Sequence, residues 1–147
     1  MSAEFLFKLI AAIGGIGWFS LILLSPFWKK VDYFVIGLVV AVLAVFYTFL
    51  NFGHIGDAGG PTAFLSYDGV IKVFGNPYLV DGAWAHILAV DLLMAVWMKN
   101  SAAKSGINYW LMIPVFLLTM MFAPLGFLVF QLIRWMKTKA YFVDVTS

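Results

Sequence analysis

Four apolar runs, Phe5 to Ser25, Phe34 to Phe52, Leu79 to Met98 and Tyr109 to Ile133, divide this 147-residue chain. Each comes to about 20 residues, the length a helix needs to cross a hydrocarbon core roughly 30 Å thick. Segments of about ten residues with alternating polarity, the signature of a membrane barrel, are absent. The helix is then the remaining fold that pairs all its own backbone groups in lipid. Composition agrees: 64% of residues are hydrophobic and 11% charged, whereas soluble domains are about 45–50% apolar. The expectation is an all-α fold, a single integral membrane domain over residues 1–147 built as a four-transmembrane-helix bundle.

The absence of cysteine excludes disulfide stapling, thiolate catalysis and dithiol redox chemistry. A net charge of +2 is too small to suggest nucleic acid as a partner, which leaves the lipid bilayer as the expected surroundings. Met1-Ser2-Ala3-Glu4 lacks a basic n-region, and no small-residue cleavage site follows the first run. That run reads as a retained helix, and the expected location is a bacterial inner membrane, crossed several times.

The first and third connections carry Lys29, Lys30, Lys99 and Lys104. With four straight spans, Lys72, Arg134, Lys137 and Lys139 fall on the opposite side, and Lys8 sits just inside helix one. The balance is too even for the positive-inside rule to set an orientation. Between the second and third runs, Gly56-Asp57-Ala58-Gly59-Gly60-Pro61 has the composition of a hinge. After it, Phe64, Tyr67, Ile71 and Phe74 recur at spacings of three and four. Asp68 and Lys72 form an i,i+4 pair on another face. A short amphipathic helix over residues 61–74, lying in the membrane interface, is expected. Trp28, Trp97, Trp110 and Trp135 flank the spans as interfacial anchors. Ala11, Gly14, Gly15 and Gly17 offer helix one a small face for close packing, and Pro114, Pro124 and Gly126 should bend helix four.

The third run also holds Asp91 and His86. A carboxylate near the hydrocarbon midplane costs at least ~2.5 kcal/mol on insertion scales, so Asp91 is the leading candidate for a functional residue. From the rise per residue, His86 lies about 10 Å and Asp91 about 18 Å from the side of the second connection. Tyr47 falls near the level of His86, Trp18 and Thr119 near that of Asp91. His86 and Asp91 point about 140° apart on a straight helix, which argues against a direct pair. Asp91 is left to meet Thr119, the indole of Trp18 or water. The bland alternative is interhelical hydrogen bonding, worth on the order of 0.6–2 kcal/mol. His54 and Asp57 lie too far from Asp91 in depth to join it at a metal, and two histidines are few for a transition-metal site. No metal and no cofactor is expected.

The stretch Gly82-Ala83-Trp84-Ala85-His86-Ile87-Leu88-Ala89-Val90-Asp91-Leu92 is followed by Leu117-Leu118-Thr119-Met120-Met121-Phe122-Ala123-Pro124-Leu125-Gly126. These two motifs, in this order, resemble the abscisic-acid-deficient, neoxanthin-synthase-like family of small four-helix membrane proteins. The resemblance implies action on a carotenoid: the plant member is required for the isomerisation that opens an epoxide of violaxanthin and yields the allene of neoxanthin. It also implies that His86 and Asp91 correspond to the family's histidine and aspartate, and Thr119, Pro124 and Gly126 to its helix-four motif. The chain departs from the pattern at Ala95-Val96-Trp97, where the family carries Gly-Arg-Trp, and at Ala123, where it carries glycine.

Epoxide isomerisation needs an acid for the oxygen and a base for a carbon-bound proton. Asp91 is assigned as the acid and His86 as base or orienter, with Tyr47 and Thr119 completing the expected catalytic set and an apolar isoprenoid or carotenoid as ligand. The alternative is a non-catalytic accessory protein that binds a pigment or a quinone. A proton-coupled transporter is weaker, since four helices with one deep acid would need a homo-oligomer to form a pathway.

Overall fold

The computed structural model describes residues 1–142 and is all-helical over them. Three helices are long and apolar enough to cross a membrane: α1 (Ala3–Leu24), α2 (Val31–Ala58) and α4 (Pro77–Lys104). Between α2 and α4 lies the short α3 (Tyr67–Gly75), and α5 (Tyr109–Met121) and α6 (Ala123–Thr138) follow. At one end of the bundle, Met1 meets Tyr78 through a 3.4 Å hydrogen bond from the Tyr78 hydroxyl. At the other, Asp32 at the start of α2 pairs with Lys99 and accepts from Asn100 at 3.0 Å. These are called the Ser2 end and the Lys104 end.

Helix α4 is central, with α1 and α2 packed along it. Cβ atoms placed on Gly14 and Gly17 would lie 2.7 Å from Leu88 and Leu92 respectively, so the absence of side chains there lets α1 close on the Leu88–Leu92 ridge. Ile10, Leu21, Leu43, Leu50, Leu92 and Phe116 form the centre of one apolar core. Ser20–Leu24 winds as a π-helix, a form that breaks the usual i→i+4 ladder. The Tyr109 hydroxyl lies 2.8 Å from both the Leu21 and the Ile22 carbonyls, sharing its proton between them and tying the start of α5 to α1.

Two expectations change. The segment 61–74 is not one helix. Pro61–Leu65 is a 3-10 turn, Ser66 caps α3 by accepting from the Gly69 amide, and Gly69 closes against the backbone of Ala63. Tyr67, Ile71 and Phe74 remain exposed, while Gly69 and Val73 face inward. The apolar stripe therefore points away from the bundle.

The larger change is in the fourth run, which is two helices interrupted at Phe122 (φ −143°, ψ 76°). Pro124 brings no amide proton to continue the ladder. A straight continuation would carry Phe130 about 16 Å beyond Thr119 toward the Ser2 end. Instead, the rings of Phe127 and Phe130 pack 6.1 and 5.8 Å from that of Trp97, which lies beyond Asp91 on the way to the Lys104 end. The buried faces are Met112, Val115, Phe116 and Thr119 on α5 and Gly126, Phe130 and Arg134 on α6. Thr119 meets Gly126 directly. The chain reverses at Phe122 into a helical hairpin that enters and leaves at the Lys104 end. Its tip stops beside the middle of α4, so Pro124 to Gly126 do not continue down to the level of His86 as a straight helix would require. Trp97, expected as an interfacial anchor, is instead packed inside this corner.

Candidate functional site

Because the hairpin turns back, the half of the α1–α4 flank nearer the Ser2 end has no fourth helix to fill it. A groove of about 1010 Å³ opens there, at the top of the roughly 300–1,000 Å³ range of ligand pockets. Its walls come from α1 (Ala11, Gly15, Trp18), from α4 between Trp84 and Met94, and from the hairpin tip between Met120 and Phe127. Nothing lies within 4 Å of a Cβ placed on Gly15. The small face of α1 is thus divided: Gly14 and Gly17 serve packing, and Ala11 and Gly15 give the groove its width.

Asp91 is the ionisable side chain in this apolar lining, joined by the indoles of Trp18 and Trp84. Asp91, at the midpoint of α4, is 9% exposed. Trp18, 3% exposed, has an indole Nε1 that is buried without a hydrogen-bond partner. A buried unpaired donor costs about 1–3 kcal/mol, and the residue that carries it lines the same groove as Asp91. Sequence reasoning placed Trp18 at the level of Asp91 but did not count it among the site residues. The depth match was the available signal, and the groove supplies what depth could not.

The remaining expected residues lie elsewhere. His86 is exposed and its ring stands 5.1 Å from that of Tyr47 on α2, at an interplanar angle of 39°. The similar depth read for these two is realised as a contact, on a face of α4 other than the one lining the groove. Thr119 is fully buried, donates to the Val115 carbonyl at 2.8 Å and does not line the groove. Its position under Gly126 makes it part of the hairpin's crossing point. The four residues expected to act together therefore fall into an Asp91 groove, a His86–Tyr47 pair and a structural Thr119.

Near the Ser2 end, Asp81 is 4% exposed and its Oδ2 has no partner. It lines a smaller recess of about 340 Å³ with Glu4, Phe7 and Phe74. His54 stacks on Tyr78 (4.4 Å, 8°) and lies 3.3 Å from Asp57. Among the described residues, no three His, Cys, Asp or Glu side chains converge as a metal site would require.

The sequence model of the ABA4-like family, described as ABA DEFICIENT 4-like, matches residues 5–130. No curated protein and no solved structure matches the chain.

Proposed function

From the premise that the chain belongs to the ABA4-like family, we propose that the groove takes up a carotenoid or related isoprenoid from the lipid phase and isomerises it at Asp91. The observation that carries this reading is the coincidence, in one lipid-sized apolar groove, of a deep carboxyl and an indole N–H without a partner. A long hydrocarbon would lie against Ala11, Gly15 and the hairpin tip. An oxygen on its end group would reach Asp91, and would meet the Trp18 N–H once that indole turns toward the groove.

The chemistry fits an isomerisation, which needs no oxidant or reductant. Protonated Asp91 gives its proton to an epoxide oxygen as the carbon–oxygen bond breaks. A carbon-bound proton is then lost to form the new double bond, and the Asp91 carboxylate can accept it. General acid–base assistance of this kind contributes typically 10²–10⁴-fold. In this reading Asp91 carries the proton alone, and Trp18 holds the oxygen. His86 and Tyr47 stand across α4 and act by positioning the helix.

Length and apolarity support α1, α2 and α4 as membrane spans. The outward apolar stripe of α3, with Asp68 and Lys72 on another side, supports an interfacial placement for that helix.

The test is expression in a host that makes violaxanthin, followed by analysis of its carotenoids. A new isomer formed with the native chain and lost with Asp91→Asn supports the enzyme. A visible chromophore that copurifies with no new product would favour the pigment-binding alternative. Neither pigment nor product would remove carotenoid from the reading altogether.

A further inference from the structure

The hairpin changes where the cations lie. The chain contains nine lysines and arginines. Lys29 and Lys30 follow α1, and Lys99 and Lys104 close α4, all at the Lys104 end. A straight fourth span would carry Arg134, Lys137 and Lys139 across to the Ser2 end. The reversal at Phe122 brings those three back beside the other four. Of the seven, Arg134 is buried and donates to the Tyr141 carbonyl, and Lys99 pairs with Asp32. Lys29, Lys30, Lys104, Lys137 and Lys139 are exposed and form the cationic face. Only Lys8 and Lys72 remain at the Ser2 end, accompanied there by Glu4, Asp57 and Asp68. Lys8 is already paired with Glu4 at 2.6 Å.

We propose that the chain crosses the bilayer three times, that α5 and α6 form a re-entrant hairpin, and that the resulting cationic face docks on the anionic phospholipid headgroups of the cytoplasmic leaflet. Backbone that breaks its helix at membrane depth is tolerated where protein or a cavity surrounds it. The break at Phe122 borders the groove beside α4, with Met121 and Phe122 exposed to it. Short flanks rich in Lys and Arg set orientation because anionic lipid retains them on the cytoplasmic side. With seven cations against two, the rule that was undecided for four straight spans now has a direction.

A consequence follows for the groove. It lies between the hairpin tip and the Ser2 end, so it opens to the leaflet opposite the cations. An apolar ligand would therefore load from the non-cytoplasmic leaflet. This topology does not depend on what the ligand is, nor on any turnover.

The chain has no cysteine, so single-cysteine variants report cleanly on sidedness with a membrane-impermeant maleimide in a bacterial expression host. Ser2→Cys and Thr62→Cys mark one end; Lys30→Cys, Ala103→Cys and Ala140→Cys mark the other. All five positions are exposed. The first two should label in spheroplasts, and the last three only in inverted vesicles. Labelling of Ala140→Cys together with Ser2→Cys would overturn the hairpin topology in favour of four crossings. Labelling of Lys30→Cys, Ala103→Cys and Ala140→Cys in spheroplasts would overturn the orientation. Combining Lys29→Gln, Lys30→Gln, Lys137→Gln and Lys139→Gln should give a population labelled from both sides at Ala103→Cys. An orientation indifferent to those four charges would show that headgroup attraction does not set it.

Discussion

Gly126 sits against Thr119 so closely that a methyl group added to it would stand 2.7 Å from both the Thr119 Cα and its amide nitrogen. Backbone atoms cannot swing aside as a side-chain end can, so the two arms of the hairpin would have to part. Gly126→Ala should destabilise the protein by about 1–3 kcal/mol, the usual cost of overpacking, read as a lowered midpoint of thermal unfolding in detergent. An unchanged midpoint would mean that the arms do not cross at this point.

Gly15 presents the opposite case, because nothing would meet its Cβ within 4 Å. Gly15→Phe should leave the stability within about 0.5 kcal/mol of native, as an open-surface substitution does. It should nonetheless obstruct the groove and abolish ligand uptake. Full uptake by this variant, measured as carotenoid retained or converted, would place the ligand elsewhere.

Asp91 and Trp18 should be separable by chemistry. Asp91→Asn keeps the shape of the side chain but removes its transferable proton, and conversion should fall by about 10²–10⁴-fold. Trp18→Phe removes the indole donor together with part of the buried ring. Losing one hydrogen bond of about 1 kcal/mol should reduce conversion roughly fivefold. If both variants convert normally, the proton comes from another group.

Tyr109 holds the hairpin to α1 through the Leu21 and Ile22 carbonyls. Tyr109→Phe preserves the ring but removes the hydroxyl shared by the two carbonyls, of which Leu21's keeps the Ser25 hydroxyl, at a cost of about 0.5–1.5 kcal/mol. Thermal unfolding should show that loss, together with faster hydrogen exchange at the beginning of α5. Native exchange rates there would indicate that water already serves the two carbonyls.

Much of the arrangement was legible residue by residue. Run length and apolarity located the long helices, since those properties follow from the thickness of a bilayer. Helical spacing turned His86 and Asp91 to different sides of α4, and axial rise matched Tyr47 to His86 and Trp18 to Asp91. The fate of Ala123-Pro124-Leu125-Gly126 was harder to read. A proline in an apolar run interrupts the hydrogen-bond ladder whether the chain bends slightly or reverses, and the local chemistry is the same in both cases.

Sequence alone thus determined that this is an apolar helical protein with one acid buried at depth, because hydropathy and periodicity are local properties summed along the chain. Tertiary structure decided that the last apolar run folds back on itself, through the packing of Gly126 on Thr119 and of Phe130 on Trp97. That reversal leaves a groove beside Asp91 and gathers the cations at one end. Both outcomes depend on which distant surfaces meet, and no local pattern encodes that choice.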